Sequence, residues 1–260
     1  MNKSWVCLVT AILLGSILTF LPAPVVAAKA GCGSIITTSS TLRANIGPCS
    51  EDGLIIGQSN ITLNCAKHTI RGTGTNNGEW HGIYVLAGLT GVTIKNCIVS
   101  NFAYGFEFDA SSSKLAGNTA TGNVIWGFDL FSGNHNTVTN NTASYNNDEG
   151  FFIYQNSTTL TNNKAFGNTN EGFRIWYRSS GNILSKNTAT SNGDSGFYNT
   201  NGYSIGNTLK GNIANGNNYG YYDLTDGSGT RGTGNSYRND KCSTNILGGS
   251  YPTGLCTPQS

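Results

Sequence analysis

The chain is short of charge. Only 11% of its 260 residues are Asp, Glu, Lys or Arg, against about a quarter in an average soluble domain. Its formal net charge is +2, and no block of like charge stands out, so the concentrated positive field that nucleic-acid binding needs is missing. Histidine is scarce, with 3 residues, and the single Met is Met1. There is no CxxC pair and no His at zinc-ligand spacing from a Cys, which excludes a zinc finger and weakens any metal-delivery role. Pro numbers only 5. After the N-terminal stretch no apolar run is long enough to cross a bilayer. What the chain does have is 35 Gly, and Asn is almost as frequent. Gly loses the most backbone entropy in a helix and Asn competes for backbone hydrogen bonds, so a helical protein is excluded. Aromatics at 10% argue against disorder. The composition implies many turns joined by short buried strands.

The N-terminus reads as an export signal. Lys3 gives a positive start, Trp5 to Leu21 is largely apolar, Pro22 and Pro24 break the run, and small residues follow at Val26-Ala27-Ala28 and Ala28-Lys29-Ala30. This is a secretory signal pattern, residues 1–30, cleaved after Ala28 or Ala30; the alternative is an uncleaved anchor. Cleavage after Ala30 removes Lys3 and Lys29 and balances the remaining charges. The expected location is secreted or periplasmic, with no membrane attachment after cleavage and a monomeric mature chain. Cys7 leaves with the signal and six Cys remain. An even number in an exported chain suggests disulfides. Cys32 with Cys49 and Cys242 with Cys256 bracket the two ends and are the preferred pairs, each closing a short loop worth about 3 kcal/mol. Cys65 and Cys97 fall inside a regular repeat. They are expected to be buried small hydrophobes or a stacked pair, not metal ligands.

The repeat decides the fold. The segments beginning Gly82-Ile83-Tyr84-Val85, Gly105-Phe106-Glu107-Phe108, Gly127-Phe128-Asp129-Leu130, Gly150-Phe151-Phe152-Ile153, Gly172-Phe173-Arg174-Ile175, Gly196-Phe197-Tyr198-Asn199 and Gly220-Tyr221-Tyr222-Asp223 superimpose at intervals of about 22 residues. Gly53-Leu54-Ile55-Ile56 is an earlier copy, and Gly72 to Trp80 reads as a loop insertion between it and Gly82. A second line keeps step, as in Thr137-Val138-Thr139-Asn140-Asn141 and Thr159-Leu160-Thr161-Asn162-Asn163, each a short strand ending in Asn. A third, weaker line includes Ser144-Tyr145-Asn146. Such a period, with two or three short strands per repeat, is that of a parallel β-helix whose coils bury their inward side chains against one another. Asn at a strand end can adopt left-handed backbone geometry and donate its amide to the next coil. The expected fold is all-β: a single solenoid domain, 31–260, of about nine coils. Disulfide-bearing caps are expected over about 31–52 and 235–260.

Strand alternation then separates inside from outside. The residues one and three after each Gly are apolar and point inward. The residues between them, and those just before Gly, face out. They place His81, Tyr84, Tyr104, Trp126, Phe131, Phe152, Tyr154, Trp176 and Tyr198 on one outer face, beside Glu107, Asp109, Asp129 and Arg174. A dense exposed aromatic surface marks a binding face. His81, Tyr84, Trp126, Phe131, Phe152, Tyr154, Trp176 and Tyr198 are the candidate substrate-binding residues. Glu107 and Asp129 occupy equivalent positions one coil apart, about 5 Å. Such a pair suits either general acid/base chemistry at retaining-glycosidase spacing or, with Asp109, a calcium ion. In the enzymatic reading Glu107, Asp109 and Asp129 supply the base, with Arg174 or Tyr104 assisting. The bland alternative is a set of solvated polar residues. Asp148 and Glu149 read as a charged turn.

Asn60-Ile61-Thr62-Leu63-Asn64-Cys65-Ala66-Lys67-His68-Thr69-Ile70, followed by Gly91-Val92-Thr93-Ile94-Lys95-Asn96-Cys97, resembles the opening coils of secreted right-handed β-helix repeat proteins. These are of the carbohydrate-binding and sugar-hydrolase type, which includes the NosD-like periplasmic proteins. The resemblance implies the right-handed, pectin-lyase-like fold, whose enzymes act on polysaccharides at an outer sheet face. Tyr104-Gly105-Phe106-Glu107-Phe108-Asp109 is similar to the epimerase motif Tyr-Gly-Phe-Asp-Pro-His-Glu. Here Glu107 stands for the motif's Asp, while Phe108 and Asp109 replace its Pro and His. The expected function is polysaccharide binding, with a lyase, hydrolase or epimerase acting on an acidic glycan as the enzymatic version. The competing class is a structural or adhesive β-helix, or a NosD-like accessory protein.

Overall fold

A computed structural model of the chain describes residues 30–74, 79–200, 204–217, 224–226, 233–243 and 249–259. The signal segment, apart from Ala30, and the Gly220–Asp223 repeat lie outside the described residues. Among the described residues every regular element is a short strand, and the strands form three parallel sheets. The first sheet has ten strands, from Ser34–Ile36 to Ser250–Tyr251. The second has nine, from Ser40–Thr41 to Ser236–Arg238. The third has ten, from Ile46–Cys49 to Thr257–Gln259. The chain visits them in turn. From Phe128–Leu130 in the first sheet it passes to Thr137–Thr139 in the second and Thr142–Ser144 in the third. It then returns to the first at Phe151–Ile153, hydrogen-bonded beside its starting strand. This is the parallel β-helix expected from the repeat.

The inside is a set of columns. Phe106, Phe128, Phe151, Phe173 and Phe197 stack with ring centroids 4.6–4.8 Å apart, which is the spacing of hydrogen-bonded strands. Opposite them the third sheet presents Ala120, Ala143, Ala165, Ala189 and Ala214, all buried. The large column needs the small one, since a coil this narrow cannot hold two rows of rings. The repeating Gly has the same cause. A Cβ on Gly127, Gly150 or Gly172 would lie 2.7 Å from the carbonyl oxygen of the next glycine in the line, and 2.9–3.1 Å from an Ala methyl of the third sheet. Close approach therefore fixes this glycine.

Asn holds the corners. At the corner between the second and third sheets, Asn118, Asn141, Asn163, Asn187 and Asn212 are buried in line. Each side-chain amide donates to the carboxamide oxygen of the next, at 3.0–3.1 Å. The same oxygen accepts the backbone N–H of the preceding Asn, and the second amide hydrogen goes to a strand carbonyl, as from Asn163 to Val138 O at 2.8 Å. The row ends on Asp240, which accepts from Asn212 at 2.8 Å; a terminal member need only accept. A second ladder, Asn123, Asn146, Asn168, Asn192 and Asn217, follows the third sheet at 2.7–2.9 Å. A third runs before the second sheet through Ser113, Asn136, Thr158, Asn182, Asn207 and Asn235, each backbone N–H bonding the next side-chain oxygen.

One expectation is corrected here. The ladder residue does not itself take the left-handed conformation. The residue before it does: Gly117, Asn140, Asn162, Lys186 and Gly211 at φ 55–66°. The turn needs one residue to reverse direction and a second to aim its amide along the axis. A further correction concerns the last repeat, because Phe197 pairs with Leu224 and not with Tyr221.

Cys32–Cys49 and Cys242–Cys256 are disulfides, as expected, and Cys65–Cys97 is a third. The last occupies the first ladder's own column. The Cys97 N–H donates to Asn118 Oδ1 at 3.0 Å, so a covalent bond continues the row where the amides stop.

Asn163→Ala would strip an acceptor from both donors of Asn141 and a donor from Val138 O. Three buried groups left unpaired at about 1–3 kcal/mol each predict a loss of about 3–9 kcal/mol, read from the urea midpoint at unchanged m-value.

Candidate functional site

The first sheet sets Tyr84, Glu107, Asp129, Phe152, Arg174 and Tyr198 side by side on successive strands. Their side chains stand outside because their neighbours on each strand are locked inward by the Phe column. Three units follow one another along this face.

In the first unit His81 is clamped between two acids. Its backbone N–H and Nδ1 lie 2.8 and 3.0 Å from Asp52 Oδ1, and its Nε2 lies 2.6 Å from Glu107 Oε2. The ring is stacked on Tyr84 and Tyr104, at 4.9 and 5.2 Å. Burial opposes protonation, but the hydrogen bonds to Asp52 and Glu107 outweigh it and raise the imidazole to about 9. Tyr104 is pushed up to about 12 by burial and by the surrounding carboxylates. It is therefore a phenol at neutral pH and no base.

The middle unit holds Asp129, only 3% exposed. Trp126 and Phe152 beside it stack at 4.2 Å with planes 2° apart. Asp129 Oδ1 and Trp126 Nε1 are buried with no hydrogen-bond partner in the chain. Burial, then the charges of Glu107 and Asp109, hold this carboxyl well above its usual range. Asp109 is buried too and accepts the Ser132 N–H at 3.1 Å.

In the third unit Arg174 Nη1 lies 2.5 Å from Glu149 Oε1 and 3.7 Å from Glu171 Oε2. Its guanidinium sits over Trp176 at 4.2 Å and Tyr198 at 5.6 Å. Glu149 is raised to about 7 by burial and by Asp148. Glu171 is raised to about 7 by burial against the opposing pull of Arg174.

Glu107, Asp109 and Asp129 are thus brought close enough for their charges to interact, and the aromatic candidates Tyr84, Trp126, Phe152, Trp176 and Tyr198 line the same face. Phe131 and Tyr154 form a separate exposed pair at the strand ends, 5.5 Å apart. Several outward positions are buried, against the alternative of a solvated polar face: Asp109, Asp129, Phe152, Glu149 and Glu171, with Phe152 stacked on Trp126 of the neighbouring coil. Glu149 is no charged turn but half of an ion pair. Asp52, Glu149 and Glu171 are the site residues that the sequence reading left out. The signal was present, since all three immediately precede the Gly of the repeat, in line with His81. A calcium ion does not fit Glu107, Asp109 and Asp129: Glu107 is bonded to His81 and Asp109 to the Ser132 amide, which leaves Asp129 as the one carboxyl without a partner. Among the described residues no group of three or more His, Cys, Asp or Glu is arranged to hold a metal.

The raised groups fix the sign of the pH dependence. Glu149 and Glu171 lie above the ordinary carboxyl value of 4.5, so their protonated forms favour the fold. That contribution is complete below 4.5 and is lost as pH rises through about 7. The His81 contribution is complete below 6.5 and lost as pH rises through about 9. Thermal melts should show Tm falling from pH 5 to pH 9. Glu171→Gln, which keeps the shape without titrating, should flatten the lower part of that fall.

The model of the right handed beta helix region matches residues 30–188, and that of NosD, described as a periplasmic copper-binding protein, matches residues 127–251. No curated protein matches the sequence. Two solved chains of the periplasmic alginate epimerase AlgG align with TM-scores of 0.51 and 0.53, at 15% and 20% identity, over 80% and 84% of this chain. The A-module of the Azotobacter vinelandii mannuronan C-5 epimerase AlgE6 aligns at 0.50 with 18% identity, over 84% of this chain and 64% of its own. This chain spans only 56% and 54% of the two AlgG chains, and at these identities the likeness is one of fold. The family match covers more than half of the sequence, and the chain belongs to the right-handed β-helix family.

Proposed function

We propose that this chain is an exported protein that binds polysaccharide along the outer face of the first sheet. One observation carries the reading: over six successive coils that face is paved with aromatic rings, with buried donors and acceptors between them that the chain leaves unpaired. Rings offer flat apolar surface to sugar faces, and Trp126 Nε1, Asp129 Oδ1, Glu149 Oε2 and Arg174 Nε are the groups a hydroxyl-rich ligand would satisfy. The fold neighbours, which are alginate and mannuronan epimerases, support a glycan. Three disulfides and the likeness to a periplasmic family support an extracytoplasmic location.

Binding accounts for the face better than catalysis. A uronate-processing centre needs a cation free to neutralise the sugar carboxylate and a base ready to take a proton. His81 and Arg174 are each closed by two acids, and Tyr104 holds its proton. The copper named for NosD is not carried over. The six described cysteines are all in disulfides, and no metal-holding group is present among the described residues.

Trp126→Ala and Trp176→Ala should each weaken oligosaccharide binding about tenfold, equivalent to about 1.4 kcal/mol, in a calorimetric titration that follows a glycan-array screen. Tyr145→Asn, on an exposed ring outside the first sheet, should leave affinity unchanged. An array with no bound glycan would replace this reading with the structural or adhesive one.

A further inference from the structure

Charge is sorted around the solenoid. Every acidic residue between 51 and 194 lies on a strand of the first sheet or within a few residues of one. The strands of the other two sheets carry lysine instead: Lys95, Lys114 and Lys210 on the second, Lys164 and Lys241 on the third. The proposed binding face is therefore the acidic side of the molecule. A polyuronate laid along it would meet like charge, and the expectation of an acidic glycan is at odds with this arrangement.

The three units of the face make the point more sharply. The first and the third share one plan, in which carboxylates and a pair of rings enclose a cation. In the first the cation is His81, between Asp52 and Glu107, against Tyr84 and Tyr104. In the third it is Arg174, between Glu149 and Glu171, over Trp176 and Tyr198. The middle unit has the ring pair, Trp126 and Phe152, and the carboxyl, Asp129, but no cation of its own. Its Asp129 Oδ1 is buried, stands on the outward side of the strand and has no partner. Carboxylate and aromatic face together are what binds an ammonium group.

Resting on the glycan reading above, we propose that the ligand is an amino-sugar polymer with free amines, and that one of its ammonium groups fills the middle unit against Asp129, Trp126 and Phe152. Trp126 is the part that moves. It is half-buried, with an unpaired Nε1, and its ring must shift off Phe152 to admit the amine to Asp129. The flanking units need not change, because their cations are already in place.

The test compares three oligomers of equal length by calorimetry at low salt and slightly acid pH: fully deacetylated glucosamine, its N-acetylated counterpart and an oligouronate. The glucosamine oligomer should bind at least tenfold more tightly than either of the others. Asp129→Asn, which preserves shape and removes the charge, should bring the glucosamine oligomer to within about twofold of the acetylated one. Equal or tighter binding of the acetylated or uronate oligomer, still lost in Trp126→Ala, would overturn the amino-sugar assignment and leave the glycan reading standing. Oligolysine binding as tightly as the glucosamine oligomer, with the same Asp129→Asn sensitivity, would overturn it in favour of a cationic peptide. Absence of binding by every oligosaccharide would overturn both.

Discussion

A buried amide must be satisfied, and in this molecule only the next coil can do it. An Asn such as Asn163 brings two donors and an acceptor into an interior that excludes water, and each group left unpaired would cost about 1–3 kcal/mol. All three find partners only if the next coil carries an oxygen at the same corner at the strand spacing. That demand sets the repeat length. It requires a left-handed residue immediately before the ladder position, and it puts every strand in register with its neighbour. The Phe stack and the Ala column are consequences, since equivalent positions then face each other at one distance and must be mutually compatible. The ends show the same constraint. Asp240 closes one ladder because the last member need only accept, and Cys65–Cys97 begins it with a bond that asks for no amide at all.

Outside, the same register creates a problem that the inside does not have. Stacking identical residues suits rings and amides but not charges, since like charges at about 5 Å repel. The first sheet therefore never repeats a charge for long. Glu107 and Asp129 are an acidic pair in register on the strands, and burial raises the pKa of the second; Glu149 and Glu171, before successive glycines, share Arg174 between them. Phe152 then separates Asp129 from Arg174. Acids from the position before Gly reach across to the cations, so that each positive group is held by carboxylates from two different coils. These clamps act along the axis as the Asn ladders do, at higher electrostatic cost and with a pH dependence that the ladders lack.

The sequence displayed much of this. The Gly line gave the period, alternation gave the inward Phe column, and the end disulfides followed from cysteine position. What alternation does not reveal is depth. Asp129 and Glu149 occupy outward positions and would be solvated on an isolated strand. They are buried because Trp126, Phe152 and Trp176 stand a few ångströms along the axis, a relation between coils and not along the chain. The pairing of His81 with Asp52 was hidden for a related reason. The insertion between Gly53 and Gly82 breaks the even interval, so the first member of the line is easily counted as core and not as part of the face. In the last coil Phe197 pairs with Leu224, so the even interval of the Gly line does not carry over to that strand.

Rigidity bears on function as well. A face built on ladders cannot close around a substrate, since any hinge between coils would open several buried amides at once. Its recognition must rest on what is fixed: ring spacing along the axis, and charges set at coil intervals. The parts that can move are the outward side chains, and most of these are tied, His81 and Arg174 by two acids each and Asp109 by the Ser132 amide. Trp126 and Asp129, three residues apart, are held by no ion pair and keep polar atoms without a hydrogen-bond partner. In so constrained a surface, the place where polar groups are left without partners is the place where an external ligand can gain the most. The net charge around that place, more than the kinship of the fold to enzymes of acidic polysaccharides, selects the sign of the ligand it will hold.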